Sequence, residues 1–280
     1  MKYTELKPRP ALAQHLECFW FASSDAPPAG VPERVLPDGC LEWIFHLGTP
    51  FRRLNQAKEW EIQPRSFVVG ELTRFILLQP AGPVETMGVR FRPGGAYRFL
   101  PFPVDLLTDR FVSSSDVWGR EGEHLEEVVR SAHTHLNRQH AVESFLIRRL
   151  IDSEPRRRFD AAIGAVMRSR GQMRVNQIAG AIGCSPRQLE REFRAAAGLS
   201  PKAMARVIRF QNLLGMVGAD ALRRWASVAL DCGYADQPHM VREFRDLAGQ
   251  SPTEHQSHPL GNLSQNFVSP QRLSDLLGTQ

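Results

Sequence analysis

The sequence predicts an α+β protein with a strand-rich first domain, trailing helices, and an all-helical second domain. Three observations lead there: period-two alternation before residue 92, an internal repeat at an offset of about 50 residues after 170, and a charge imbalance between the halves. The length of 280 residues suits two modest domains. Residues 1–155 hold 18 Lys/Arg against 20 Asp/Glu, whereas 156–255 hold 16 against 9, so only the second segment is basic. The boundary is expected at Ser153-Glu154-Pro155-Arg156, where a proline and a charge run interrupt two apolar patterns. This divides the chain into 1–155, 156–255 and a tail, 256–280. In the tail, Ser269-Pro270 ahead of Leu273 suggests a short helix.

Taken in order, ECFWFA, RVLPDGCLEWIFHL, SFVVG, RFILLQ and VETMGVRF read as short strands bounded by Pro and Gly. In LEWIFHL the alternation places Leu41, Trp43, Phe45 and Leu47 on one face and Glu42, Ile44 and His46 on the other. Pro37-Asp38-Gly39 is a turn, because proline presets φ and glycine accepts a positive φ. Strands at this spacing predict a small barrel or sandwich. From about Gly122 to Leu150 the apolar spacing becomes helical.

The repeat pairs LEREFRAAAGLSP (Leu189–Pro201) with MVREFRDLAGQSP (Met240–Pro252), identical at eight of thirteen positions. Upstream, Val175, Ile178, Ala179, Ile182 and Gly183 correspond to Trp225, Val228, Ala229, Cys232 and Gly233. Each unit therefore reads helix, glycine turn, helix, with one extra residue in the second turn. Ser185-Pro186-Arg187-Gln188 predicts a capping box at the start of the second helix, and Gly198 ends it. Leu189, Phe193, Ala196 and Ala197 form its packing stripe; Arg187, Glu190, Arg191 and Arg194 form the opposite one. In the second unit Met240, Phe244, Leu247 and Ala248 pack, while Gln237, His239, Arg242 and Arg245 face outward behind an Asp236 cap.

A rigidly held helix presenting Arg and Gln is what major-groove reading requires, since Arg bonds guanine O6 and N7 together and Gln bonds adenine N6 and N7. A helical bundle with solvated arginines is the alternative. Duplication, capping and positive charge together favour double-stranded DNA as partner.

GYADQPHMVREFRDLAGQSP resembles the second helix-turn-helix signature of the AraC/XylS family of bacterial transcription regulators, and the first unit resembles that family's first. The similarity covers about Phe159 to His255. It implies a seven-helix DNA-binding domain whose two recognition helices are joined by a long helix, expected at Ser200 to Leu214. It also implies that Arg187, Glu190 and Arg191 face one DNA segment and Gln237, His239 and Arg242 the next. Pro238 departs from the pattern, removing a backbone donor from the first turn. Arg174 and Arg224 stand where capping residues are common in the family. PDGCLEWIFHL with VRFRPGGA is similar to the N-terminal domain of uncharacterised members, which implies a cupin-like sensor fold.

Aromatic and charged residues of the strand region, namely Trp20, Trp43, His46, Arg90 and Arg92, are the candidates for a ligand site. The enzyme alternative is a cupin-like metalloenzyme with a helical appendage. It lacks a His-x-His in the strands, although His15, Cys18, Cys40 and His46 could form a zinc or thiol site. His133-Thr134-His135 is read within a helix, where i and i+2 diverge. The chain has no G-x-S-x-G elbow and no phosphate loop. The expectation is a cytoplasmic regulator that is not an enzyme and needs no cofactor or metal. Its partners are DNA and RNA polymerase, with a small-molecule effector and a second copy of the chain as further candidates, and no membrane.

Overall fold

A computed structural model describes residues 1–25, 32–151, 156–219 and 225–257. Ten strands and ten α-helices, besides three short 3-10 turns, occur among the described residues: β1 (Lys2–Leu6), β2 (Leu16–Ser24), β3 (Glu33–Val35), β4 (Glu42–His46), β5 (Arg52–Leu54), β6 (Trp60–Ile62), β7 (Ser66–Val69), β8 (Ile76–Gln79), β9 (Val84–Phe91), β10 (Phe111–Ser113), α1 (Ser114–Trp118), α2 (Arg120–Ser131), α3 (His135–Ile151), α4 (Arg157–Arg168), α5 (Val175–Ala181), α6 (Pro186–Ala197), α7 (Pro201–Ala219), α8 (Trp225–Asp231), α9 (Gln237–Ala248) and α10 (Pro252–Ser257). The expected boundary residues 153–155, the tail helix and Arg224 lie outside the described residues.

The strands form two antiparallel sheets, ordered β1-β2-β9-β4-β7-β10 and β3-β8-β5-β6. The alternation in β4 separates two environments. Leu41, Trp43 and Phe45 pack with Phe145, Leu146 and Val129 of the trailing helices, while Glu42, Ile44 and His46 face a cavity between the sheets. Four short strands escaped the sequence reading. β1, β5, β6 and β10 are three to five residues long and largely exposed or half-buried, so they carry no apolar alternation. His133 and Thr134 lie between α2 and α3 rather than within a helix, and His135, opening α3, stacks on Phe21 at 3.9 Å.

In the second half, α4 to α9 enclose one core containing Phe159, Phe193, Phe210 and Phe244. Phe159 meets Phe193, and Phe210 meets Phe244, edge-on at 5.2 Å. The connecting helix α7 extends to Ala219, five residues beyond the expected Leu214. Leu213 and Leu214 bury its inner face there, and no proline interrupts the run. No described helix is long and apolar enough to cross a membrane.

The two halves are in contact. Leu36 of the first domain joins the helical core, with Phe75 and Tyr97 packed against it. Gln211 of α7 donates to Pro37 O at 2.6 Å, and Phe75 N–H donates to Leu247 O of α9 at 2.8 Å. Thr108 Oγ1 donates to Gly198 O at 2.7 Å, and Arg34 donates to Gln250 Oε1 at 2.5 Å. The first domain thus touches the C-terminal ends of α6 and α9 and the side of the helix joining them.

Candidate nucleic-acid interface and buried cavity

The helix α6 starts where Ser185 Oγ accepts from Gln188 N–H at 3.2 Å and stops at Gly198, whose φ of 73° is left-handed. Only half of the expected capping box forms, because the Gln188 amide donates to Glu192 at 3.1 Å instead of reaching back. At α5 the opposite half is made. Gln177 Oε1 accepts from Arg174 N–H at 3.0 Å, while a guanidinium has no acceptor to return. Asp236 Oδ1 caps α9 through His239 N–H at 2.7 Å, and Pro238 sits harmlessly in the first turn. Four residues separate α5 from α6 and five separate α8 from α9, as the repeat offset implies.

The stripes divide by burial. Leu189, Phe193, Met240 and Phe244 are buried, while Arg187, Glu190, Arg191 and Arg194 on α6, and Gln237, Arg242 and Arg245 on α9, are exposed. Glu190 and Arg194 pair at 3.0 Å, whereas Arg187, Arg191 and Arg242 have no ion-pair partner among the described residues. His239 is half-buried, edge-on to Tyr234 and 3.7 Å from Glu243. Arg206 and Arg209 lie on α7, between the two helix-turn-helix units, where the sequence alone reads them as solvated or beside the DNA backbone. The structure ties them inward: Arg206 to Asp246 at 2.8 Å, and Arg209 to both Glu243 oxygens at 2.9 and 3.0 Å. A helix pair held by ion pairs explains why these arginines are not part of the outward stripe.

Of the ligand candidates, Trp20, His46 and Arg90 line a cavity of about 90 Å³ between the sheets. Trp43 lies on the other face of β4, donating to Ser114 Oγ at 2.7 Å within the helix-backed core. Arg92 follows the end of β9 and donates to Ala13 O at 2.9 Å, in a separate cleft beside α4. Trp20 lies flat over Gly88, where a Cβ would stand 2.0 Å from its ring, and donates to Glu42 Oε2 at 2.8 Å. His46 is hydrogen-bonded to Gln63 at 3.1 Å and Thr86 at 3.3 Å, and burial pushes its pKa down to about 4. His15 is also depressed to about 4, by burial and then by Arg98, and lies edge-on to Phe99. Burial raises the Cys18 thiol to about 12 and holds that of Cys40 well above its usual value. Among the described residues, no group of three or more His, Cys, Asp or Glu could hold a metal.

The residues missed from sequence are the carboxylates. Arg90 donates to Glu17 at 2.8 Å, Glu42 at 2.5 Å and Asp38 at 2.7 Å. The pairing of β2, β9 and β4 brings Glu17, Arg90 and Glu42 together, with Glu42 directly opposite Arg90, and the turn before β4 adds Asp38. Burial raises Glu42 to about 7 despite the guanidinium beside it. Glu71 lies under the α6 terminus, where a Cβ on Gly198 would stand 2.6 Å from its Oε2, and burial raises its pKa to about 8.

Glu71 makes a prediction with a defined sign. Because its folded pKa lies above the ordinary 4.5, its ionisation costs stability progressively as pH rises from about 4.5 through 8. Glu71→Gln is expected to match the parent at pH 4.5 and exceed it at pH 8 by about 1–3 kcal/mol, the usual cost of a buried unsatisfied polar group. Urea unfolding at both pH values measures this. Equal pH slopes for the two proteins would contradict a neutral Glu71.

Two family models match the chain: a domain of unknown function (DUF6597) over residues 4–113 and a helix-turn-helix domain over 178–258. No curated protein matches it in sequence. Its fold is similar to ToxT from Vibrio cholerae, at 11% identity and a TM-score of 0.45, covering 84% of this chain and 97% of that one. ToxT from the same organism bound to an unsaturated fatty acid matches at 10% identity and a TM-score of 0.43, covering 84% and 92%. A regulator with an AraC-type DNA-binding domain from Chromobacterium violaceum matches at 22% identity and a TM-score of 0.32, covering 37% of this chain and 95% of that one. With the duplicated helix-turn-helix and its outward arginines, the family match places a DNA-binding helix-turn-helix domain at residues 178–258 of this chain.

Proposed function

We propose that this chain is a transcription regulator of the AraC type, that it reads DNA through Arg187, Glu190, Arg191 and Arg194 of α6 and Gln237, His239, Arg242 and Arg245 of α9, and that its first domain senses an effector instead of catalysing a reaction. The observation that carries the sensing half is continuity between cavity and reading domain. Leu36, Asp38, Leu72 and Ile76 line the cavity, and Arg34, Pro37, Gly39, Glu71 and Phe75 beside them touch α6, α7 or the end of α9. A ligand that prefers one arrangement of the Leu36–Cys40 turn would shift how the two recognition helices are held, provided its affinity differs between arrangements. RNA polymerase and a second copy of the chain are the further partners of this reading. Residues 1–155 and 156–255 are its working units.

The two recognition helices are expected to protect an asymmetric site over successive major-groove faces, about 34 Å apart. The decisive comparison uses the full chain and DNA fragments that it selects. Arg191→Ala should lose about 1–3 kcal/mol on the selected site and relax preference at one or two positions. Arg206→Ala, which removes an internal tie, should leave base preference intact. Equal loss for both variants on selected and mutated sites would remove the assignment of α6 as a reading helix.

A further inference from the structure

The polar end of the cavity holds more negative than positive charge. One guanidinium, Arg90, is shared by three carboxylates, and two of these, Asp38 and Glu42, also line the cavity. Asp38 receives the Cys40 N–H at 2.9 Å on one oxygen and Arg90 on the other. Glu42 receives Arg90 on one oxygen and the Trp20 indole on the other. An ionised carboxylate offers about four lone-pair sites, so both groups retain capacity to accept. His46, the other basic group in the wall, is neutral at pH 7 and supplies no counter-charge. Apart from Gln63 and Thr86, which hydrogen-bond to His46, the remaining wall is apolar and aromatic, with Ile44, Phe51, Phe67, Ile76 and Phe111.

We propose that this cavity takes a compact organic cation, a protonated amine on a small apolar body. Its ammonium is set against Asp38 and Glu42, and its body against the aromatic wall. The inference rests on the reading of the first domain as a sensor and names the chemical class that domain takes. Ammonium donors fill the spare acceptor sites and neutralise the surplus charge. A carboxylate ligand would meet like charge, with the one guanidinium already engaged. Size is bounded too: a cavity of about 90 Å³ limits the body to a few carbons.

The charged and titratable groups facing Glu42 are Arg90 from β9, Asp38 from the preceding turn, Glu17 and Cys18 from β2, and Cys40. A cation beside Glu42 favours its ionised form. Below about pH 7 binding must therefore expel the Glu42 proton into solvent, and affinity falls. The ligand's own ammonium stays protonated throughout.

The test is calorimetric titration of the full chain with isobutylamine, isobutanol and isobutyrate, which share a body and differ in charge. Isobutylamine is expected to bind at least about tenfold more tightly than isobutanol at pH 8, to weaken about tenfold at pH 6, and isobutyrate to give no heat. Asp38→Asn keeps an acceptor for Cys40 N–H but removes a charge, and should abolish the preference for the amine while leaving isobutanol unchanged. Leu78→Trp, which narrows the cavity from the opposite sheet, should exclude both; melting curves of each variant establish that it is folded. Absence of amine binding, binding of isobutyrate as tight as the amine, or amine binding indifferent to Asp38→Asn and Leu78→Trp overturns the proposal. DNA titration separates the two readings. An amine that binds the cavity without altering DNA affinity supports the cation site and removes the sensor role for that compound, whereas DNA affinity that responds to an anionic ligand, with no amine bound, retains the sensor and removes the cation class.

Discussion

Arg90→Ala is expected to destabilise the protein by about 3–5 kcal/mol, because it strips the single counter-charge from Glu17, Asp38 and Glu42 and leaves them buried together. The side chain of Arg90 is itself 2% exposed, so water cannot replace it without opening the sheets. The pH dependence of the loss has a definite sign. Glu42 is already raised to about 7 with the guanidinium present, and without it protonation becomes more favourable still. A folded state that holds protons more tightly than the unfolded chain loses stability as pH rises, so the deficit should be smallest near pH 5 and largest near pH 8. Chemical unfolding of parent and variant at those pH values measures it. Adding Glu42→Gln to Arg90→Ala should recover part of the loss at pH 8, since it removes one of the mutually repelling carboxylates. A deficit independent of pH, or a double variant worse than the single, would mean that Arg90 acts through packing and not through charge.

Glu243→Gln should have a comparable effect in the reading domain. This carboxylate, with a side chain 9% exposed, takes both bonds from Arg209, lies 3.5 Å from Arg206 and 3.7 Å from His239. Neutralising it leaves the Arg209 guanidinium, which lies 4.8 Å from the ring of Tyr234, without the carboxylate charge that holds it. Breaking one side of such a pair costs about 3–5 kcal/mol, whereas removing both partners for apolar groups is far milder. The thermal midpoint should therefore fall sharply for Glu243→Gln and recover in Arg209→Met/Glu243→Leu. DNA footprinting adds a functional reading: protection should weaken first on the segment assigned to α9, whose register against α7 these bonds hold. Uniform weakening over both segments would place the effect on the whole domain instead.

The sequence by itself determined the features that depend on local chemistry and short-range period. The duplicated helix-turn-helix was legible because capping residues, glycine turns and apolar stripes recur within each unit, and even the longer second turn was written in the change of offset. The outward stripe of α6 followed from 3.6-residue spacing alone. Period two likewise separated Trp43 from His46, so those residues could not share one pocket on a single strand. Tracking that parity would have removed Trp43 from the ligand candidates. The short strands at the sheet margins were illegible, because strands of three to five residues exposed on one side carry little periodic signal.

Only the tertiary structure decided the rest. Glu17, Asp38, Glu42 and Arg90 are scattered along the chain, and nothing local marks them as a group; antiparallel pairing of three strands brings Glu17, Glu42 and Arg90 together, and the turn before β4 adds Asp38. Asp38 was readable as a turn former, and its Oδ1 does hold the Cys40 N–H, yet its second oxygen has a long-range partner that turn chemistry does not reveal. Arg206 and Arg209 look solvated on an amphipathic helix until α9 supplies Glu243 and Asp246. The junction of the Leu36–Cys40 turn with α7 is likewise beyond local pattern. Local sequence sets which face of each element is apolar, but charge partners and shared walls are set by which elements meet, and that is fixed by packing of the whole chain.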